Sequence, residues 1–472
     1  MHRHALSLTL LTLLAPIAAQ KPRLVPVSEE RLLAAYADAR AACEEVLGAS
    51  LDELPPLKLV EPEDVARVIA NENLPAIRLR QCDEDKAEAE AAQLSRELAR
   101  FVFAKYAWST KTFLVVAATW EASASVLRRP ELTTDHTLRA VMVHELCHAI
   151  DDLRFDFGRR MLATPSTDSV AAFSAVMEGH AQLAARRVCK VRGWSDGFEA
   201  LTGSIGAVPA GIADSEEASA FLMRAQAAAL ASAYLDGERF VTTVLEARPE
   251  SGRRDIFESP PLDPETILQP QWYLDPSTRP ALLYELEPAI DAFVARFDPA
   301  IWSSMRGNVT GKQIATGLTM LEAEEVDAFV ASLRAARMVQ LAPTAAPQSK
   351  IAILIAMEFD SEDAARRWVD MSGRVSDHKD DTMDKGMIRI LDSKTTQLAP
   401  PSPFGLMQQK TMRNGRLEFE VATIDAARGR VVLETIYSGD PPDVETHDKT
   451  VRELFGLIVS KAVEKPKVEA AK

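Results

Sequence analysis

Histidine is scarce in this chain. Eight occur among 472 residues, and two of them, His2 and His4, sit at the extreme N-terminus. Cysteine is scarcer still. Cys43, Cys82, Cys147 and Cys189 are the whole set, and their spacing fits no cysteine zinc motif. Positive charge is also in deficit, with 54 Lys and Arg against 69 Asp and Glu and a formal net charge of −15. Phosphate backbones need a basic surface, so this balance argues against a nucleic-acid partner. No apolar run beyond the N-terminal twenty residues is long enough for a membrane span. Internal repeats are absent, which excludes solenoids and propellers. What remains is 47% hydrophobic and 26% charged, the composition of a globular chain of two or three domains.

The N-terminus reads as an export signal. His2, Arg3 and His4 make a basic start, residues 5–14 an apolar core, and Ala15-Pro16-Ile17-Ala18-Ala19 a small-residue end. Cleavage after Ala19 is expected, and no cysteine follows it to carry a lipid anchor. The mature chain is then periplasmic or secreted, with no stable membrane span. An oxidising compartment would permit a Cys43–Cys82 disulfide. Cys147 reads instead as a small buried core residue.

The scarce histidines are not scattered. His136, His144, His148 and His180 fall within 45 residues of one another. His144-Glu145-Leu146-Cys147-His148 matches H-E-x-x-H on an expected helix over 135–153, with Thr134 as its N-cap. Residues four apart lie about 40° apart around a helix, so both imidazoles can reach one ion. Glu145 occupies the adjacent face, placed to take a proton from water activated by the metal. Chance placement of so few histidines rarely produces this pattern, although two ordinary histidines on a solvated turn would read the same way.

A catalytic zinc takes three protein ligands and keeps one position open. A second long helix, expected from Asp168 to near Gly193, carries Glu178-Gly179-His180-Ala181. Glu178 is the expected third ligand, and Gly179 should let this helix approach the first closely. His180 is the rival. It lies about 200° round the same helix, so both cannot bind one ion. Asp152, one turn beyond His148, could orient a ligand imidazole, although a plain surface aspartate reads equally well. A group to stabilise developing negative charge is also required. Tyr234, Gln269 and Tyr273 are candidates for it.

The rest of the chain sorts into elements. Helices are expected over 28–48, 62–70, 83–106, 215–233, 237–247, 286–297 and 323–335. Residues 112–118 are apolar and β-branched and read as a strand, one that could serve as the edge against which a peptide lies. Residues 341–349, rich in Pro, Ala and Thr, read as an interdomain linker. Beyond it the pattern becomes strand, helix, strand, hairpin, strand, helix, with Asn414-Gly415 as the hairpin signal. The expected architecture is α+β. A mostly helical domain over 20–340 has a short strand before the motif helix. A smaller antiparallel-sheet domain covers 350–464, and 465–472 form a tail.

These motifs carry a resemblance. His144-Glu145-x-x-His148 with Glu178-Gly179 is similar to the gluzincin, thermolysin-like type of zinc metallopeptidase. More closely, the chain resembles exported bacterial and archaeal metalloproteases whose helix reads HELTHALQDQHFDL, followed by EGDA and STEQILHP segments. Here the helix reads HELCHAIDDLRFDF from His144, then come Glu178-Gly179-His180-Ala181, YLDGERFV from Tyr234, and Asp263-Pro264-Glu265-Thr266-Ile267-Leu268-Gln269-Pro270. The likeness spans about 105–275 and continues weakly at 359–364. His180 replaces the EGDA aspartate, and Gln269 the histidine of HP. The resemblance implies a zincin-like fold, one Zn2+ on His144, His148 and Glu178, and Glu145 as general base in peptide hydrolysis. Gln269 sustains the alternative of a catalytically inactive, zinc-stabilised periplasmic binding or scaffold protein.

Overall fold

The computed structural model describes residues 24–49, 55–78, 84–100, 102–164, 166–205, 231–315, 318, 321–344, 350–383, 388–398, 400, 402–414 and 417–461. The expected signal segment, Cys82, most of the helix expected over 215–233, Gly415 and the tail lie outside them. No described helix is long and apolar enough to cross a membrane.

The first half is helical around one small sheet. In chain order come α1 (Glu29–Leu47), β1 (Leu57–Leu59), α2 (Pro62–Arg78), α3 (Glu84–Ala99), β2 (Ala104–Ala107), β3 (Thr112–Val115), α4 (Ala117–Val126) and α5 (Asp135–Phe155). Then follow α6 (Phe157–Leu162), α7 (Thr167–Arg192), α8 (Ser195–Ser204), a π-helical turn (Ser232–Asp236), α9 (Gly237–Ala247), α10 (Gly252–Glu258), α11 (Pro264–Leu268) and α12 (Pro270–Leu274). Local chemistry sets the ends of the helices that matter. Thr134 accepts from Thr137 N at the start of α5. Ser166 accepts from Ser169 N at the start of α7, and Gly193 closes that helix with φ of 74°. Helix α5 is the centre of the domain. Leu138, Val141, Met142 and Leu146 pack into one core with Leu32 and Ala39 of α1, Phe113 of β3 and Val188 of α7.

Two expectations in this half are corrected. The helix expected over 83–106 stops at Ala99, and the chain turns to form β2. The sheet order is β1-β3-β2, so the strand expected over 112–118 is central, and β1 and β2 are the two edges. Tertiary pairing overrides the helical propensity of the Ala-rich segment leading into it.

The second half is a seven-stranded antiparallel sheet, so the chain as a whole is α+β. Its strands are β5 (Trp302–Asn308), β6 (Leu333–Pro343), β7 (Ile351–Phe359), β8 (Ile388–Gln397), β9 (Phe404–Asn414), β10 (Leu417–Arg428) and β11 (Val431–Ser438), in the order β5-β6-β7-β11-β10-β9-β8. A two-stranded pair, β4 (Tyr284–Glu285) with β12 (Val459–Ser460), lies beside it. On one face pack α13 (Glu287–Val294) and α17 (Val444–Leu457). On the other pack α15 (Ala323–Ser332) and α16 (Glu362–Met383), preceded in the chain by the short α14 (Gly311–Ala315). The hairpin expected at Asn414 forms, with Leu417 paired to Asn414. The linker expected at 341–349 does not. Leu341 pairs with Ala352 and Pro343 with Trp302, so this segment joins two strands of one sheet. The sheet therefore begins near residue 302 rather than 350.

Candidate metal centre

Helix α5 presents His144, Glu145 and His148 on its inner side, and their ligand atoms lie within 4.8 Å of one another. This buried group can hold a metal ion. Helix α7 adds Glu178, whose Oε2 is closer still: 3.1 Å from His144 Nε2 and 3.4 Å from His148 Nε2. The two Nε2 atoms are themselves 3.1 Å apart. Tetrahedral ligation at about 2.0–2.1 Å spaces ligand atoms roughly 3.3–3.4 Å apart. The two nitrogens and the Glu178 oxygen are thus spaced like three corners of such a site, which makes them a tighter set than the group containing Glu145.

The proton inventory points the same way. His144 Nδ1 lies 3.1 Å from Gln182 Oε1, and Gln182 directs its amide nitrogen to Thr202 Oγ1 at 3.4 Å. With the Gln182 oxygen facing it, Nδ1 is the donor, and in the neutral ring Nε2 turns a lone pair towards a carboxylate oxygen. A cation between them, a proton or a metal ion, satisfies both atoms at 3.1 Å. Burial pushes the Glu178 carboxyl up, but His148 and His144 hold it well below the usual carboxylate range. Burial likewise pushes His148 down, and Glu178 and Glu145 pull it back above its ordinary value. Both shifts describe a site built for positive charge.

Glu145 faces elsewhere. Its Oε2 accepts from Tyr106 N at 2.6 Å, so the edge strand β2 fixes its carboxylate beside the triad. Tyr234, on the π-helical turn, stacks on His144 with centroids 5.5 Å apart and rings 16° from parallel. Its hydroxyl bonds Glu178, and burial followed by the Glu178 and Glu145 charges raises its pKa well above the ordinary value. Of the three candidate charge-stabilising residues, this one stands at the triad.

The other expected groups do different work. Gly179 does not serve the approach of α7 to α5. A Cβ there would lie 2.1 Å from the Gly237 carbonyl carbon, so this glycine admits the turn that carries Tyr234. Asp152 orients no imidazole. It accepts from Tyr106 Oη at 2.6 Å and from Phe157 N at 2.8 Å, and it pairs with Lys111. His180 is no ligand either. Its Nδ1 lies 2.6 Å from Asp151 Oδ2, and Asp151 Oδ1 accepts from Arg253 at 2.6 Å. Tyr273 commits its hydroxyl to Ser259 O at 2.9 Å. Gln269 is exposed at the α11–α12 junction, and none of the site's described hydrogen bonds involves it. Cys43 is a buried thiol in the same core as Cys147 and Cys189, and Cys82, its expected disulfide partner, lies outside the described residues.

Sequence reasoning missed Gln182, Glu72 and Lys105. Gln182 had a signal, since it lies four residues beyond Glu178 on the same face of α7. Glu72 and Lys105 had none, because only tertiary folding brings α2 and β2 together. No protein-family model and no curated protein matches this chain.

Proposed function

We propose that this chain is an exported zinc-dependent metallopeptidase in which His144, His148 and Glu178 hold the ion and Glu145 is the general base. The observation that carries the reading is the meeting of His144 Nε2 and Glu178 Oε2 3.1 Å apart, with His148 Nε2 completing the triangle. Two imidazoles and one carboxylate are a donor set that suits zinc. Such an ion, when bound, supplies Lewis-acid activation of water and of a substrate carbonyl. The protein's own groups do the rest. Gln182 fixes the His144 tautomer. Glu145, aimed by the Tyr106 N–H, takes a proton from the attacking water and delivers it to the leaving amine. The Tyr234 hydroxyl is the donor nearest to where negative charge develops on the carbonyl oxygen. The export segment, the acidic surface and the β2 edge suit action on peptides outside the cytoplasm.

The test is a pair of measurements on Glu145→Gln. Loss of peptide hydrolysis with one zinc per chain retained is the expected result. Undiminished hydrolysis by that variant removes Glu145 from the mechanism, and failure of the wild-type chain to bind zinc removes the reading altogether.

A further inference from the structure

Strand β2 reaches the site twice. Tyr106 holds Glu145 through its backbone N–H, and the preceding residue, Lys105, carries an ammonium close enough to feel the Glu145 and Glu178 charges. Lys105 Nζ lies 2.8 Å from Glu72 Oε2. Glu72 is only 4% exposed and is itself held by Ser109, whose N and Oγ donate to Oε1 at 3.0 and 2.9 Å. The ammonium is therefore anchored through a chain of contacts rather than left to swing. Burial pushes it down, while the charges of Glu72, Glu145 and Glu178 raise its pKa above the ordinary lysine value, so it stays protonated. The side chain is nevertheless 26% exposed. An ammonium has three donors, and Glu72 faces only one side of it.

Its position relative to Glu145 decides what it can meet. In amide hydrolysis the C–N bond breaks, the water oxygen bonds to the carbonyl carbon, and the leaving nitrogen takes up a proton. Glu145 delivers that proton, so the leaving nitrogen comes to Glu145. In a C-terminal residue the α-carboxylate is two bonds from that nitrogen. A cation on the strand residue next to the one that aims Glu145 is within reach of that carboxylate. The edge itself favours a short grip on this side. Strand β2 has four residues, and the Tyr106 N–H is already committed to Glu145. Little free backbone is left to pair with a chain continuing past the scissile bond.

We infer that Lys105 binds the free α-carboxylate of the leaving residue, so that the site releases single residues from peptide C-termini. This rests on the peptidase reading above. The test compares N-acetylated tripeptides as free acids and as C-terminal amides, using the zinc-loaded full-length protein. Wild type should prefer the acids by roughly 10–100-fold in kcat/KM, the range of one charge-assisted contact. Lys105→Met should bring that ratio near one, and Lys105→Arg should keep part of it. The wild-type ratio needs no variant, so misfolding of either substitution cannot hide the answer. Turnover abolished by Glu145→Gln but equal for acids and amides overturns the carboxylate role alone. A Lys105→Met variant that keeps the full preference does the same. Absence of turnover on both series overturns the peptidase reading and this inference with it.

Discussion

Gly179 and Gly237 meet backbone to backbone: a Cβ on Gly179 would sit 2.1 Å from the Gly237 carbonyl carbon, and one on Gly237 would sit 2.1 Å from Ala175 O. No side chain can yield there, because the opposing atoms are main chain. Gly179→Ala and Gly237→Ala should each cost about 1–3 kcal/mol or more of stability. Either substitution should also push Tyr234 off His144. Thermal melts would show the first effect. The second would appear as a loss of activity larger than the loss of folded protein.

An ion held as proposed would tie α5 to α7, so its removal should loosen both helices at once. A ligand present at a thousand times its dissociation constant stabilises the folded state by about 4 kcal/mol. Chelation should therefore lower the melting temperature by several degrees, and zinc should restore it. His144→Ala, His148→Ala and Glu178→Ala should each abolish the zinc response. A Glu178→Ala protein that still binds one zinc per chain would assign the third ligand elsewhere.

Gln182→Leu keeps the volume of the side chain but removes the acceptor for His144 Nδ1. Supporting contacts of this kind are worth about 10–100-fold in metal affinity. Zinc competition titrations should show a drop of that size while the fold persists.

Tyr234→Phe keeps the stack on His144 and deletes the hydroxyl. The expected result is a fall in kcat of about 10²–10³-fold at unchanged zinc content. A kcat within twofold of wild type would exclude Tyr234 as the charge-stabilising donor.

Glu265 gives the protein a pH slope outside the site. Burial, then the Asp263 charge, pushes its carboxyl from 4.5 up to about 7, against the pull of Arg337 and Arg279. The folded state thus binds this proton more tightly than the unfolded chain does. Its contribution is fully favourable below about 4.5 and is lost as pH rises towards 7. Glu265→Gln should leave stability at pH 4.5 little changed and raise it at pH 8 by about 1–3 kcal/mol. Denaturant melts of both proteins at the two pH values would measure the difference.

The legible parts of this molecule were those set by neighbours in the chain. Ser28, Thr134 and Gly193 mark helix ends where capping chemistry says they should. His144, Glu145 and His148 declare themselves because helical spacing alone aligns them. Glu178 was legible because a three-ligand site demanded a further donor. Contacts made by folding were not. The segment Leu333–Pro343 is rich in Ala, Leu and Arg, which suit a helix, and it becomes a strand only because β5 and β7 flank it. Lys105 fell in a stretch that reads as helix, and nothing local connects it to Glu72. The partners of His180 and Asp152, namely Asp151 and Tyr106, were not legible because they are a matter of which way each helix faces.

Tyr106 grips helix α5 at two points about two turns apart, its N–H on Glu145 and its hydroxyl on Asp152. The spacing between the strand edge and the Glu145 carboxylate is thereby gauged by a single residue. If the small sheet shifts against the helices, Glu145 shifts with it. The distance between strand β2 and the Glu145 carboxylate is therefore held whichever way the sheet and helix settle together.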